Sequence, residues 1–282
     1  MTNPIYPCLW FDGQAKEAAT FYCSIFENSR ITSDNAMVAN FEIGGFKVMG
    51  LNGGPAYSIN PAISLFYTTT DGDELQVIWN KLIEGGSALM PLDKYPWSEK
   101  YGWVKDKFGL TWQLMIGSLP DGSLKINPSL LFVNQQFGNA ESAINLYTSI
   151  FPDSKIHPLQ RYGPDSPQPE GYLQFGHFEL NHDLFSAMDG PGNHDFDFNE
   201  GLSFVVNCDT QEEIDHYWYK FTEGGTEGRC GWLKDPFGVS WQIVPSVLSK
   251  LMSDPNKAPK AVGAFMKMNK FDIQELIDAA ES

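Results

Sequence analysis

The chain has 282 residues, 42% hydrophobic and 14% aromatic, with 19 basic and 35 acidic residues and a formal charge of -16. At about 100 to 200 residues per domain that length suits two domains, each with its own core, and the composition is that of a folded globular protein. The acidic balance repels phosphate backbones and anionic lipid surfaces, and no Lys/Arg cluster reverses it, which argues against nucleic acid and membranes as partners.

No apolar run approaches the roughly 18 to 20 residues that span a bilayer, and the opening MTNPIYPCLWF lacks the charged and apolar regions of a signal peptide. Cys8, Cys23, Cys208 and Cys230 are scattered, with no C-x-x-C pair. Reduced thiols and a cytoplasmic location are expected.

Taken in order, the chain describes one unit twice. IYPCLWF at 5–11 is short, apolar and aromatic, as a buried strand is. A one-sided helix follows, with Ala15, Ala18, Ala19, Tyr22, Ile25 and Phe26 on its apolar face. VANFEIGGFKVMGL at 38–51 reads as a hairpin turning at Gly44-Gly45. The next strand is AISLFYTTT at 62–70, followed by a helix that starts at Asp71 with Glu74 three residues on, the spacing of a capping box. Leu75, Ile78, Trp79 and Leu82 form its buried stripe, and Gly85-Gly86 supplies a left-handed stop. A hairpin, GWVKDKFGLTWQL at 102–114, closes the unit near Phe108-Gly109.

The same order then returns. INPSLLFV at 126–133 is a strand, and Ala140, Ala143, Ile144, Tyr147, Ile150 and Phe151 line a helix. FYCSIFENSRI at 21–31 recurs as LYTSIFPDSKI at 146–156, a shift of 125. GYLQFGHFELNHDLFSAM at 171–188 turns at Asn181-His182, and LSFVVNC at 202–208 leads to a helix begun by Thr210 and Glu213. That helix buries Ile214, Tyr217, Trp218 and Phe221 and stops at Gly224-Gly225. GWLKDPFGVSWQI at 231–243 closes the second copy, shifted by 129. The expected division is therefore residues 1–119 and 125–246 as tandem domains, with 247–282 a helical tail carrying SVLSKLM and DIQELIDAA.

Four strand-helix-strands modules, each pair closed by D-x-F-G-x-x-W-Q, resemble the vicinal oxygen chelate superfamily of glyoxalase I and bleomycin-resistance proteins. Within it the chain is similar to the PhnB-like group, often labelled 3-demethylubiquinone-9 3-methyltransferase domains. The second copy carries more of the likeness, through LSFVVNCDTQEEID, EGRCGWLKDPFGVSWQIVP and KAVGAFMKMNKFDI. The resemblance implies an α+β fold of tandem glyoxalase-like domains, each made of two βαβββ modules whose mixed sheet is cupped, with helices on the outer face. It also implies that small molecules, and a divalent metal in the enzymes, sit on the cup floor.

In the metal-using relatives the last ligand is a Glu four residues after the hairpin Gly, where this chain has Gln113 and Gln242. The other ligand positions fall near Pro7, Cys8, Pro128 and Ser129, at Met49-Gly50 and Ser186-Ala187, and at Pro61-Ala62 and Glu200-Gly201. These are poor ligands for a hard cation, so no metal site and no cofactor are expected. Strand alternation points Thr111, Gln113 and Met115, and likewise Ser240, Gln242 and Val244, into the cup, and turns Trp112 and Trp241 toward the helices. With Trp103 and Trp232 these six inward residues make the expected ligand-binding set; no catalytic residue stands out.

His194, Asp195, Asp197 and Glu200 read as a solvated acidic turn, His177 and His182 as surface or hydrogen-bonded histidines, and Cys8 as a buried structural thiol. No glycine-rich strand-to-helix loop of the kind that holds a methyl donor opens either copy. Three readings stay open: a protein that binds a small organic molecule, a glyoxalase- or dioxygenase-type metalloenzyme, and a structural pseudo-dimer. A homodimer of the whole chain also stays open.

Overall fold

A computed structural model describes residues 4–282; the first three residues of the opening segment lie outside the described residues. The chain divides into two compact units, Pro7–Leu202, and Met1–Tyr6 with Ser203–Ser282.

The larger unit holds three modules. The first is β1 (Tyr6–Phe11), α1 (Ala15–Ile25), β2 (Arg30–Asp34), β3 (Val38–Ile43) and β4 (Phe46–Asn52), ordered β1-β4-β3-β2 with β1 and β4 parallel. The second is β5 (Ile63–Thr69), α2 (Gly72–Leu82), β6 (Ser87–Tyr95), β7 (Ser98–Lys105) and β8 (Thr111–Ile116), with β5 parallel to β8. The third is β9 (Ile126–Phe132), α3 (Ala140–Ile150), the short β10 (Lys155–Ile156) and β11 (Gln160–Arg161), then β12 (Leu173–Leu180) and β13 (Asp183–Asp189), with β13 parallel to β9.

Modules two and three share one nine-stranded sheet, β10-β12-β13-β9-β5-β8-β7-β6, with β11 on β12. Its central joint is the antiparallel pair β5–β9, in which Ser64 stands opposite Ser129 and Phe66 opposite Asn127. The sheet thus unites the second module of one repeat with the first module of the other.

The smaller unit contains β14 (Leu202–Cys208), α4 (Gln211–Thr222), β15 (Thr226–Glu227), β16 (Trp232–Lys234) and β17 (Ser240–Pro245), ordered β15-β16-β17-β14. Helices α5 (Val247–Ser253), α6 (Ala258–Phe265) and α7 (Ile273–Glu281) follow. Helix α6 was not anticipated from the sequence. It is eight residues long and buries only Ala261, although Ala258, Ala261, Val262 and Phe265 share one side, and its start is marked by a proline in the first turn.

Helix starts differ between the copies. Thr210 and Glu213 make the full reciprocal box, whereas Asp71 caps the amides of Asp73 and Glu74 without return. Glu74 instead binds Lys125 at 2.6 and 2.8 Å and accepts from the Thr69 hydroxyl at 2.6 Å.

The D-x-F-G-x-x-W hairpins are organised by a buried carboxylate. Asp106, 2% exposed, accepts at Oδ1 from the amides of Phe108 (2.9 Å) and Leu110 (3.1 Å) and at Oδ2 from the Trp112 indole (3.0 Å) and the Tyr22 hydroxyl (2.8 Å). Asp235 does the same for Phe237, Val239 and Trp241 at 2.9, 3.0 and 3.0 Å. Trp112 also packs against Tyr22 and Phe26 at the α1 end of that bond, which puts it on the helix side of the sheet.

A second device belongs to the smaller unit alone. In the first repeat Gly102 is covered by Trp79 and by Leu92 of the long β6. In the second, β15 is two residues long, and the segment after α6 takes its place: the amides of Cys230 and Gly231 donate to the carbonyls of Met268 and Asn269 at 2.8 and 2.7 Å, and Phe271 covers Gly231.

Replacing Asp106 with Ala strands four buried donors at about 1–3 kcal/mol each before relaxation, so a loss of about 3–5 kcal/mol is expected in chemical denaturation. Burial pushes the Asp106 carboxyl up to about 6, with the four donors opposing it. The native state therefore holds this proton longer than the unfolded chain, and the stabilisation is full below about pH 4 and lost as pH rises through about 6. The stability gap between wild type and Asp106→Asn should shrink by on the order of 3 kcal/mol between pH 4 and pH 7. Gly231→Ala puts a methyl 2.4 Å from the Phe271 ring at a residue with φ +81, and should lower the melting temperature, while Gly263→Ala, in open space, should not.

Candidate ligand site on the nine-stranded sheet

Each hairpin that ends on Asp106-bound Trp112 must point the following residue the other way, and that residue is Gln113. It is 3% exposed. Its Nε2 donates to the Ser64 hydroxyl at 2.7 Å and lies 3.5 Å from that of Ser129, and its Oε1 accepts from the Tyr101 hydroxyl at 2.8 Å. Burial pushes the Tyr101 phenol above its ordinary range, so it remains a donor.

Around this residue lies a transverse row of small polar side chains. Ser64, Ser129, Ser186 and His177 are successive cross-strand partners on β5, β9, β13 and β12. Asn127 Nδ2 donates to the Ser186 hydroxyl at 3.0 Å. Burial lowers the His177 pKa, so its imidazole is neutral near pH 7. The buried polar atoms without a hydrogen-bond partner on the strands of this sheet include Trp103 Nε1, Thr111 Oγ1, Asn127 Oδ1, Thr68 Oγ1 and His177 Nδ1.

Rings enclose the row. Phe66 lies 6.3 Å from Tyr101 and 5.8 Å from Phe175, and Phe175 lies 4.9 Å from His177. Trp103 stands opposite Gln113 and Tyr101 opposite Met115 in the β7–β8 register. Thr111, Gln113, Met115 and Trp103 of the expected set are thus gathered on one face, with Thr111 and Gln113 buried and Met115 and Trp103 half-buried.

The other repeat keeps part of this plan. Gln242 Nε2 donates to the Ser203 hydroxyl at 2.9 Å, Trp232 stands opposite Gln242, and Ser240 Oγ, like Thr111, is buried without a partner. Val244 stands two residues further along β17 and is half-buried. The position matching Tyr101 is Cys230.

Tyr101, Ser64, Asn127 and Phe66 were missed from the sequence. Tyr101 was recoverable, since it precedes Trp103 by two on a strand and must share its face. His177, expected as a surface or hydrogen-bonded histidine, is half-buried beside Ser186, and strand alternation places Phe175, His177 and Glu179 together. At its far end this face carries the His157–Glu179 pair, 2.6 Å apart.

The other residues singled out do not join the row. His182 is exposed at the β12–β13 turn, and Cys8 is buried in β1 opposite Met49. In the acidic loop Asn134 Nδ2 donates to the carbonyls of His194 and Phe196 and to Asp197 Oδ1, which holds the loop by its own backbone.

A chelated divalent metal does not fit this face. Every donor around Gln113 is neutral, and both ends of the Gln113 amide are engaged by protein groups. Among the described residues no three His, Cys, Asp or Glu side chains come together as a metal-holding group. Among the described residues, too, no helix is long and apolar enough to cross a membrane.

The family model described as 3-demethylubiquinone-9 3-methyltransferase matches residues 3–115 and again 124–244. The chain belongs to that family, in its PhnB-like form, twice over. A Bacillus cereus PhnB protein, described as a 3-demethylubiquinone-9 3-methyltransferase, is 33% identical over 41% of this chain and 100% of its own, with a TM-score of 0.39. A Staphylococcus aureus protein is 31% identical over 42% of this chain and all of its own, at a TM-score of 0.19. Glyoxalase I of Zea mays is 12% identical but aligns over 89% of this chain and 97% of its own, at a TM-score of 0.57. The tandem glyoxalase arrangement of α+β modules in two mixed sheets is therefore common to this family member and the maize enzyme, as fold alone. No curated protein matches the chain.

Tyr101→Phe removes the hydroxyl that donates to Gln113 Oε1 and takes a partner from a buried carbonyl oxygen. A loss of about 1–3 kcal/mol is expected by urea denaturation, with the fold retained.

Proposed function

We propose that the protein binds a small organic molecule on the Gln113 face of the nine-stranded sheet, without a chelated metal. The observation that carries this reading is the conjunction of an oriented amide, Gln113 fixed by Tyr101 and Ser64, with buried unpartnered polar atoms on the same sheet, among them Trp103 Nε1, Thr111 Oγ1 and Asn127 Oδ1. Each such atom costs about 1–3 kcal/mol in an empty apolar setting, and a ligand bearing complementary groups removes that cost. Trp103, Thr111, Gln113 and Met115 form the floor; Trp232, Ser240, Gln242 and Val244 form the corresponding floor of the other repeat.

The alternative of glyoxalase- or dioxygenase-type catalysis needs a cation to hold vicinal oxygens, and the neutral donor set opposes it. A structural pseudo-dimer is favoured by one specific observation, the β5–β9 joint that couples the repeats in a continuous sheet. That role is compatible with ligand binding on the same sheet.

The test is thermal melting of untagged protein against a panel of small aromatic and aliphatic compounds, paired with metal analysis of the same sample. A ligand that raises the melting temperature in the presence of chelator, and fails to do so with Gln113→Ala, is the expected result. Stoichiometric tight zinc, iron, manganese or nickel would overturn it.

A further inference from the structure

The segment that joins the two repeats bridges the end of β5. The Gly117 amide donates to the Thr69 carbonyl at 3.0 Å and the Thr68 amide to the Lys125 carbonyl at 2.9 Å, so both ends of the span are tied to that strand. Between them Pro120-Asp121-Gly122-Ser123 makes a turn, closed by the Ser123 amide on the Pro120 carbonyl at 3.1 Å with Gly122 at φ +83. The span and the strand end line a cavity of about 610 Å³ that lies within the larger unit. Trp103, Thr111, Gln113 and Met115 take no part in its lining.

The lining is strongly one-signed. It carries the carboxylates of Glu27, Asp71, Glu74 and Asp121 and a single basic residue, Lys125. Lys125 is spent on Glu74, which it meets at 2.6 and 2.8 Å. Glu27, Asp71 and Asp121 are exposed and no other basic residue lines the cavity. The N-terminus of α2 offsets only about half a charge, so the negative sign prevails.

A group of surface acids is ordinary in itself. Thr68 sets this one apart: it lines the same cavity, is 2% exposed, and its Oγ1 has no hydrogen-bond partner. The neighbouring Thr69 hydroxyl, by contrast, is engaged by Glu74 at 2.6 Å. A buried hydroxyl oxygen left this way is destabilising, and an N–H donor entering the cavity would satisfy it.

The spacing of the carboxylates selects among cations. They come from the end of α1, the start of α2 and the linker turn, and among the described residues no three His, Cys, Asp or Glu side chains come together as a metal-holding group. Charges that do not converge on one point suit a cation whose own charges are spread along a chain. Leu119 and Pro120 in the lining offer apolar surface to methylene groups.

We propose that this cavity binds an aliphatic diamine or polyamine, one per chain, with ammonium groups toward Glu27, Asp71 and Asp121 and an N–H donated to Thr68 Oγ1. The site goes beyond the Gln113 reading, and neither depends on the other.

Titration calorimetry of the full chain at low salt with 1,4-diaminobutane tests it, with butylamine and magnesium chloride as comparisons at matched ionic strength. The diamine should bind one per chain and butylamine about tenfold more weakly, and magnesium should not displace the diamine. Glu27→Gln and Asp121→Asn should each weaken the diamine about threefold and together about tenfold, while Glu84→Gln, at the opposite end of α2, should change nothing. Thr68→Val should weaken it too, with the free protein melting no lower than wild type, because the unpaired oxygen is gone. No diamine binding, equal binding of butylamine, or an equal loss from Glu84→Gln overturns the site, the last two by reducing it to the general attraction of an acidic protein. Displacement by magnesium overturns it in favour of a metal ion, and wild-type affinity in the Glu27→Gln, Asp121→Asn double variant moves the amine elsewhere. Wild-type affinity in Thr68→Val alone overturns the contact to Thr68. None of these outcomes bears on binding at Gln113.

Discussion

A carboxylate removed from water inside each closing hairpin sets the geometry of everything beyond it. Asp106 satisfies two turn amides with one oxygen and the Trp112 indole and Tyr22 hydroxyl with the other, so turn, strand and helix α1 are fastened at one point. Because Trp112 is pulled to the helix side, its neighbour in the strand has to face the opposite way. The aspartate in D-x-F-G-x-x-W-Q is thus scaffold, and the glutamine is what the scaffold aims.

The consequence for chemistry follows from the identity of that aimed residue. A carboxylate there would be a free charged ligand; an amide is a two-ended group, and here each end already has a protein partner in Tyr101 and Ser64. Around Gln113 the face is polar without being charged, and the Glu179 carboxylate stands only at its far end beside His157.

Much of this was legible beforehand because it is local. The apolar stripes of α1 to α4, the two-residue turns at Gly44-Gly45 and Asn181-His182, and the opposite facing of Trp112 and Gln113 all come from periods of 3.6 and 2. What was not legible is nonlocal or atypical. Four similar modules carry no signal saying which two share a sheet, and the β5–β9 joint is decided by contacts far apart in the chain. Helix α6 is short and carries a glycine in its interior, and the Asp71 box failed because Lys125, 51 residues away, captures Glu74. His177 looked solvent-facing because its strand places polar residues on both sides, and only the partner Ser186 reveals which side is covered.

The two repeats have also diverged in how they finish their last hairpin. The first spends a long strand on covering Gly102; the second has given that strand up and borrows residues 268–271, which arrive after two intervening helices. A fragment trimmed at Ser246, where the duplicated pattern stops, would bare the Cys230 and Gly231 amides and unseat Phe271. Residues 268–271 are therefore an integral strap of the second repeat, filling the place that β6 holds in the first.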